Sequence, residues 1–258
     1  MKVTILGCGP SAGVPRIGND WGACDPSEPR NRRRRGSILV EAGGRTVLVD
    51  TSPDLREQLL DARVRRLDGV IYTHEHADQT HGIDDLRALA YAMRGRIDVW
   101  ADPRTMAVLH RRFDYVFDQL DGSPYPPIAV ARQFPLDGTT FSVAGLDVRP
   151  FRQMHGDIDS VGLRFGPFAY SNDVNDLPEE SFAALAGVEV WIVDALRYRP
   201  HPTHAHLDLA LAWIDRVKPR RAVLTNLHVD LDYNVLQRSL PTGVEPAYDG
   251  MVIEVSGP

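Results

Sequence analysis

Ten consecutive residues, Tyr72-Thr73-His74-Glu75-His76-Ala77-Asp78-Gln79-Thr80-His81, carry three imidazoles and two carboxylates. They follow directly on the apolar run Gly69-Val70-Ile71-Tyr72, which reads as a buried strand. A turn at the end of that strand lets the alternate side chains His74 and His76 converge on one ion, with Asp78 close by. Neutral imidazole and carboxylate are ligands suited to zinc, manganese and iron(II). The plain alternative is a polar loop that happens to hold histidines. Its weakness is that further ligand-type residues sit at the ends of other apolar runs.

Strand-length apolar runs recur at residues 2–7, 37–42, 45–50, 69–72, 97–101, 146–151, 160–166, 189–193 and 221–225. Helical periodicity fills the intervals at 54–62, 84–93, 104–119, 179–186, 207–217 and 232–239. Start signals support three of these helices: Pro53-Asp54, Asp102-Pro103 and His206-Leu207-Asp208. Gly43-Gly44 is placed to close one tight hairpin and Ala144-Gly145 another. Hairpins interleaved with βα units predict an α/β chain of mixed sheets covered by helices, not a purely parallel doubly wound sheet. The Pro-rich segment Ser123-Pro124-Tyr125-Pro126-Pro127 is the best candidate boundary. Patterned sequence resumes on both sides of it, so it is read as a surface loop, and one domain over residues 1–258 is expected.

The candidate ligands obey one rule: each lies just past a strand-like run. Asp50 ends Thr46-Val47-Leu48-Val49, and His74, His76 and Asp78 follow Val70-Ile71-Tyr72. His155 follows Val148-Arg149-Pro150-Phe151, Asp173 follows Phe168-Ala169-Tyr170-Ser171-Asn172, and His228 follows Ala222-Val223-Leu224-Thr225. Strand ends are where open α/β architectures gather ligands, because the loops there are held on a rigid base. The expected class is a metal-dependent hydrolase.

Composition narrows the partners. A formal net charge of −6 provides no global basic field, so nucleic acid is not expected as an obligatory partner. No segment reaches the roughly 20 apolar residues needed to span a bilayer, and no secretory signal is read at the start. Two cysteines, Cys8 and Cys24, are too few for a disulfide framework, so the default location is cytoplasmic. Arginine supplies nearly all the positive charge, which lowers the meaning of the run Arg30-Asn31-Arg32-Arg33-Arg34-Arg35. A salt-bridged loop is its commoner explanation, ahead of a phosphate clamp.

Taken along nearly its whole length, the chain resembles the metallo-β-lactamase-fold hydrolases. Their pattern of an early Asp, a His-x-His-x-Asp-His loop, a lone His, a bridging Asp and a final His is met by Asp50, His74-Glu75-His76-Ala77-Asp78, His155, Asp173 and the Thr225 to His228 region. The opening Gly7-Cys8-Gly9-Pro10-Ser11-Ala12-Gly13-Val14-Pro15, with Cys24-Asp25-Pro26 and the arginine run, is similar to the branch of phosphoribosyl 1,2-cyclic phosphate phosphodiesterases. The resemblance implies a four-layered αβ/βα sandwich of two mixed β-sheets. It implies two divalent ions, manganese or zinc, and hydrolysis of a small cyclic phosphate or nucleotide phosphodiester by metal-hydroxide attack on phosphorus. His74, His76 and His155 match the ligands of the first ion, Asp173 the bridging carboxylate, and Asp78 a ligand of the second ion that also steers the nucleophile. Asp50 matches a residue that orients the metal loop.

The match is uneven at the second ion. Gln79 stands where the family has His, and Thr225-Asn226-Leu227-His228 replaces the usual Thr-His. In each case a histidine follows two residues later, at His81 and His228, and a shift of two keeps side-chain direction if the backbone is extended. His228 is taken as the replacement ligand and His81 as the weaker candidate, against the alternative that the second site is weak. In the resemblance His204 falls beside the leaving group as a general acid, and His206 falls at a helix N-cap, where it caps or adds a second acid. Rival readings are a nucleotide-binding protein with a weakened second site, and a hydrolase of lactones or thioesters. A homodimer is left open.

Overall fold

The computed structural model describes residues 1–256 and contains two seven-stranded sheets. The first is built from β1 (Lys2–Gly7), β2 (Ser37–Ala42), β3 (Arg45–Val49), β4 (Gly69–Ile71), β5 (Ile97–Ala101) and β6 (Ala129–Gln133). The second takes β7 (Phe141–Val143), β8 (Leu146–His155), β9 (Ile158–Phe165), β10 (Phe168–Ser171), β11 (Val190–Asp194), β12 (Arg221–Thr225) and β13 (Val244–Pro246). Finally β14 (Val252–Glu254) returns to pair with β1. The helices are α1 (Leu55–Asp61), α2 (Ala77–Thr80), α3 (Leu86–Met93), α4 (Pro103–Phe117), α5 (Glu179–Leu185), α6 (Leu207–Val217) and α7 (Tyr233–Ser239).

Both sheets are mixed in the same way. From β14 through β1 and β2 to β3 the pairing is antiparallel, and from β3 through β4 and β5 to β6 it is parallel. The second sheet repeats this, antiparallel from β7 to β10 and parallel from β10 to β13. The switch strands are therefore β3 and β10. Such a switch opens a crevice at the carboxyl ends of the strands, because the connections leave on diverging paths.

Alternation explains the layering. In β1, β2 and β3, Val3, Ile5, Ile38, Val40, Val47 and Val49 point to the second sheet and meet Val148, Leu163, Phe165, Tyr170 and Ile192. Neighbouring positions Leu6, Leu39 and Leu48 point outward and pack under α1, α3 and α4 through Leu55, Leu59, Leu86, Met106 and Leu109. On the far side Trp191, Val193 and Leu224 lie under α5, α6 and α7. The result is the expected αβ/βα sandwich. Each fully buried Val, Leu or Ile contributes about 1.5–3 kcal/mol, and the three apolar layers hold the two crevice rims at fixed separation.

Local signals explain most boundaries. Pro103 starts α4 and the Asp102 carboxylate accepts from the amides of Arg104 and Thr105. Gly43-Gly44 and Ala144-Gly145 close the β2–β3 and β7–β8 hairpins, with positive φ at all four residues. The Pro-rich segment is a loop before β6. The sequence pattern did not reveal β6, β13, β14 or the four-residue α2, and implied β7 only through the Ala144-Gly145 hairpin; all are short, and most lie at sheet edges where burial imposes little pattern.

Candidate metal centre

The site lies at the carboxyl ends of β3, β4, β10, β11 and β12. Three residues just past strands turn the chain through the left-handed region: Asp50 (φ 62°), Asp173 (φ 54°) and Asn226 (φ 61°). Only Gly, Asn and Asp adopt that conformation cheaply, and such local strain gathers at functional sites. Gly36 belongs to the same packing, since a Cβ there would stand 2.8 Å from Nδ2 of Asn172.

His74, His76 and His155 form one pocket. Their ring centroids are 4.7 Å, 5.2 Å and 5.0 Å apart, for His74–His76, His74–His155 and His76–His155. Two of the rings, His74 and His155, are aimed by hydrogen bonds at their other nitrogen. The Asp50 carboxylate accepts from the Thr73 amide and hydroxyl, both at 2.8 Å, and Thr73 Oγ1 is 3.1 Å from His74 Nδ1. His155 Nδ1 donates to the Thr203 carbonyl at 2.6 Å, which leaves Nε2 with its lone pair 3.2 Å from His76 Nδ1. His74 Nε2 is buried with no partner among the described residues. Three imidazole nitrogens thus converge on one point, and all three groups offer a ligand atom within 4.8 Å of the others.

That donor set fits a divalent ion. Burial pulls the His74 imidazole well below its usual value, with neighbouring His155 and His76 adding to the effect. Burial likewise lowers His155 to about 4, aided by His204. Both rings are therefore neutral and free to ligate near neutral pH, as metal binding requires. Asp50 is itself held at about 8 by burial, against the pull of its Thr73 hydrogen bonds. It holds Thr73 and does not join the converging atoms.

Beside this pocket is a second group, His155, Asp173 and His204. Gln79 Nε2 donates to Asp173 Oδ2 at 3.2 Å, and Asn172 Nδ2 donates to the same oxygen at 2.6 Å. Amide N–H groups cannot ligate a cation. His204 Nδ1 lies 2.9 Å from Asp194 Oδ2, 3.7 Å from Asp173 Oδ1 and 3.0 Å from the Asn226 amide. Burial lowers the His204 value, but Asp194 and then Asp173 outweigh it, and the ring stands at about 9. Asp78 is half-buried, and its charge is felt by Asp50, Asp173 and His204.

Asp194 and Asn172 were missed in the sequence. Asp194 terminates Val190-Trp191-Ile192-Val193 and so obeys the same strand-end rule as the named ligands.

Four sequence-expected residues are not among the converging atoms: Asp78, His228, His81 and His206, and for His228 and His81 the reason lies in the backbone. His228 was expected to point as Asn226 does, but Asn226 turns left-handed, so the backbone is not extended. His228 faces Asp230, 3.4 Å from Nδ1 to Oδ2. His81 ends the helical turn of α2, where a shift of two rotates a side chain by about 200°. It is exposed and packs edge-on to Phe113 at 5.4 Å. His206 is the N-cap residue of α6 and makes no side-chain cap hydrogen bond.

The arginine run is mostly salt-bridged structure. Arg30 pairs with Glu28, Arg34 with Asp61 and Arg35 with Asp54. Arg33 is buried and donates to the carbonyls of Leu227, His228 and Leu231, fastening the loop after β12.

Two face-to-face mixed sheets with a histidine pocket at the strand ends define the fold and a candidate metal site. Comparison with known proteins gives the family. The family described as Beta-lactamase superfamily domain matches residues 45–226. A solved diphosphatase of the PhnP family is 35% identical, with a TM-score of 0.89 over 99% of this chain and 98% of that one. The chain belongs to the β-lactamase superfamily and, within it, to the PhnP family. An octanoyltransferase of Porphyromonas gingivalis is 33% identical over 97% of this chain and 51% of its own length. A ribonuclease Z of Bradyrhizobium sp. (strain ORS 278) is 31% identical over 54% of this chain and 46% of its own. The chain thus spans about half the length of the curated relatives it matches. Among the described residues, no helix is long and apolar enough to cross a membrane.

Proposed function

We propose that this protein hydrolyses a small phosphodiester, a cyclic phosphate or a nucleotide, with a divalent ion held by His74, His76 and His155 and flanked by Asp173. The observation that carries the reading is His204, whose Nδ1 is held by Asp194 beside that pocket. Its cationic ring suits phosphorus chemistry, in which negative charge accumulates on the reacting group and an alkoxide must leave. The 35% identity to a PhnP-family diphosphatase over nearly both chains supports the same reading.

The ion in this pocket would supply a water of lowered pKa, manganese or zinc being the candidates, and electrostatic stabilisation of a phosphoryl oxygen. The chain's own residues do the rest. Asp50, through Thr73, keeps His74 Nε2 aimed inward, and the Thr203 carbonyl does the same for His155 Nε2. Asp78, whose charge acts on Asp50, Asp173 and His204, is the residue to orient the attacking water. His204 carries a proton near neutral pH and delivers it from Nε2 to the departing oxygen, while Asp194 stabilises the charge before transfer. His206, at the start of α6, has no role in this scheme.

The test is turnover of 2′,3′-cyclic nucleotides, ribose cyclic phosphate and dinucleotide substrates by protein supplied with manganese or zinc. Hydrolysis that disappears with chelator supports the proposal. Failure on every phosphoester, with cleavage of lactones or thioesters instead, would refute it.

A further inference from the structure

We infer that this centre is built for one divalent ion per chain, the place of a second being closed by the amides of Gln79, Asn172 and Asn226. The inference rests on reading the three-histidine pocket as an ion site.

A second ion beside the first needs lone pairs on Asp173 and on two further ligands. Asp173 Oδ2 instead receives two amide N–H groups, from Gln79 and Asn172, in a region where all three residues are buried. Turning either amide round would set its oxygen against the carboxylate. Asn226 is closed in both orientations. With its nitrogen towards His204 it turns no lone pair to that side; with its oxygen there, the Nδ1–H of His204, which also serves Asp194, holds that oxygen. Amide orientation is decided by this network, and each choice leaves a hydrogen-bonded polar cluster where ligands would have to be.

The two histidines that a shifted register would offer are turned away. His81 lies on the opposite side of the α2 turn against Phe113, and His228 faces Asp230 beyond the left-handed turn at Asn226. The buried oxygens Gln79 Oε1 and Asn172 Oδ1 have no partner among the described residues. Rotation would turn these oxygens onto the Asp173 carboxylate, which fixes the amides as donors to it.

The experiment counts ions on the full chain equilibrated with excess manganese, and separately with zinc, by elemental analysis and by manganese electron paramagnetic resonance. The expected result is one ion per chain and an uncoupled manganese spectrum. The double variant Q79H N226H should bind two, with a spin-coupled spectrum. Two ions on the natural protein would overturn the inference. So would a folded double variant that still binds one, because the amides would not be what closes the position. No ion at all would remove the three-histidine reading itself, an outcome distinct from the other two.

Discussion

Asp194→Asn keeps the shape of the side chain and removes one negative charge 2.9 Å from His204 Nδ1. The amide oxygen can still accept from that nitrogen and from the Val174 amide, which Asp194 also holds at 3.1 Å. What changes is the proton affinity of His204. Burial acts to lower it, and the carboxylates, Asp194 foremost, raise it from 6.5 to about 9. Without Asp194 the ring should return to the ordinary value of about 6.5 or below. Near pH 8 the protonated fraction then falls from roughly 90% to roughly 3%, a loss of about 30-fold, while near pH 6 it changes by less than about twofold. The assay is kcat against pH on a 2′,3′-cyclic nucleotide, whose leaving alkoxide needs a proton. A p-nitrophenyl phosphodiester, whose leaving group needs none, serves as control. A defect of equal size at every pH, or equal on both substrates, would refute His204 as the proton donor and leave Asp194 as a structural residue.

Three further outcomes are expected. His74→Ala should abolish ion binding and turnover while the far-ultraviolet circular dichroism stays native, and retained ion content would show that the converging atoms are not the ligands; Asp173→Ala should lower turnover more than ion content. Arg33→Met should destabilise the fold by about 3 kcal/mol in urea, because the buried carbonyls of Leu227, His228 and Leu231 lose their donor; a change under about 1 kcal/mol would mean water replaces it. Asp249, whose carboxylate accepts from the Cys8 and Arg34 amides, is held at about 6 by burial, above the ordinary 3.8. The folded chain therefore binds this proton more tightly than the unfolded chain. That stabilisation is complete below about pH 4 and lost as pH rises through about 6, up to roughly 3 kcal/mol. Asp249→Asn should flatten the slope of stability against pH over that window, and an unchanged slope would assign the effect to another group.

Much of this was legible in the chain. Continuous apolar runs identified the long strands because both faces are buried, one against the opposite sheet and the other under helices. The strand-end rule picked out His74, His76, His155 and Asp173, whose side chains the structure gathers, and Asp50, which holds Thr73, since a strand's end is where a side chain can be polar and still be held rigidly. What escaped were residues whose importance depends on a neighbour far away in sequence. Asp194 matters because His204 stands against it, and Asn172 because it donates to Asp173.

The sequence by itself determined the candidate ligand types and their order, because imidazoles and carboxylates at the ends of apolar runs survive any particular packing of those runs. Only the tertiary structure decided which of them meet. His81 and His228 have the right chemistry two residues from the expected places, and no pattern in the letters distinguishes an extended backbone from a helical or left-handed one there. The α2 turn and the positive φ of Asn226 settle the matter by rotating those rings away and presenting amides instead. Direction is a property of φ and ψ, and at these two positions a helical turn and a left-handed residue stand where an extended backbone would have carried the histidines to the site.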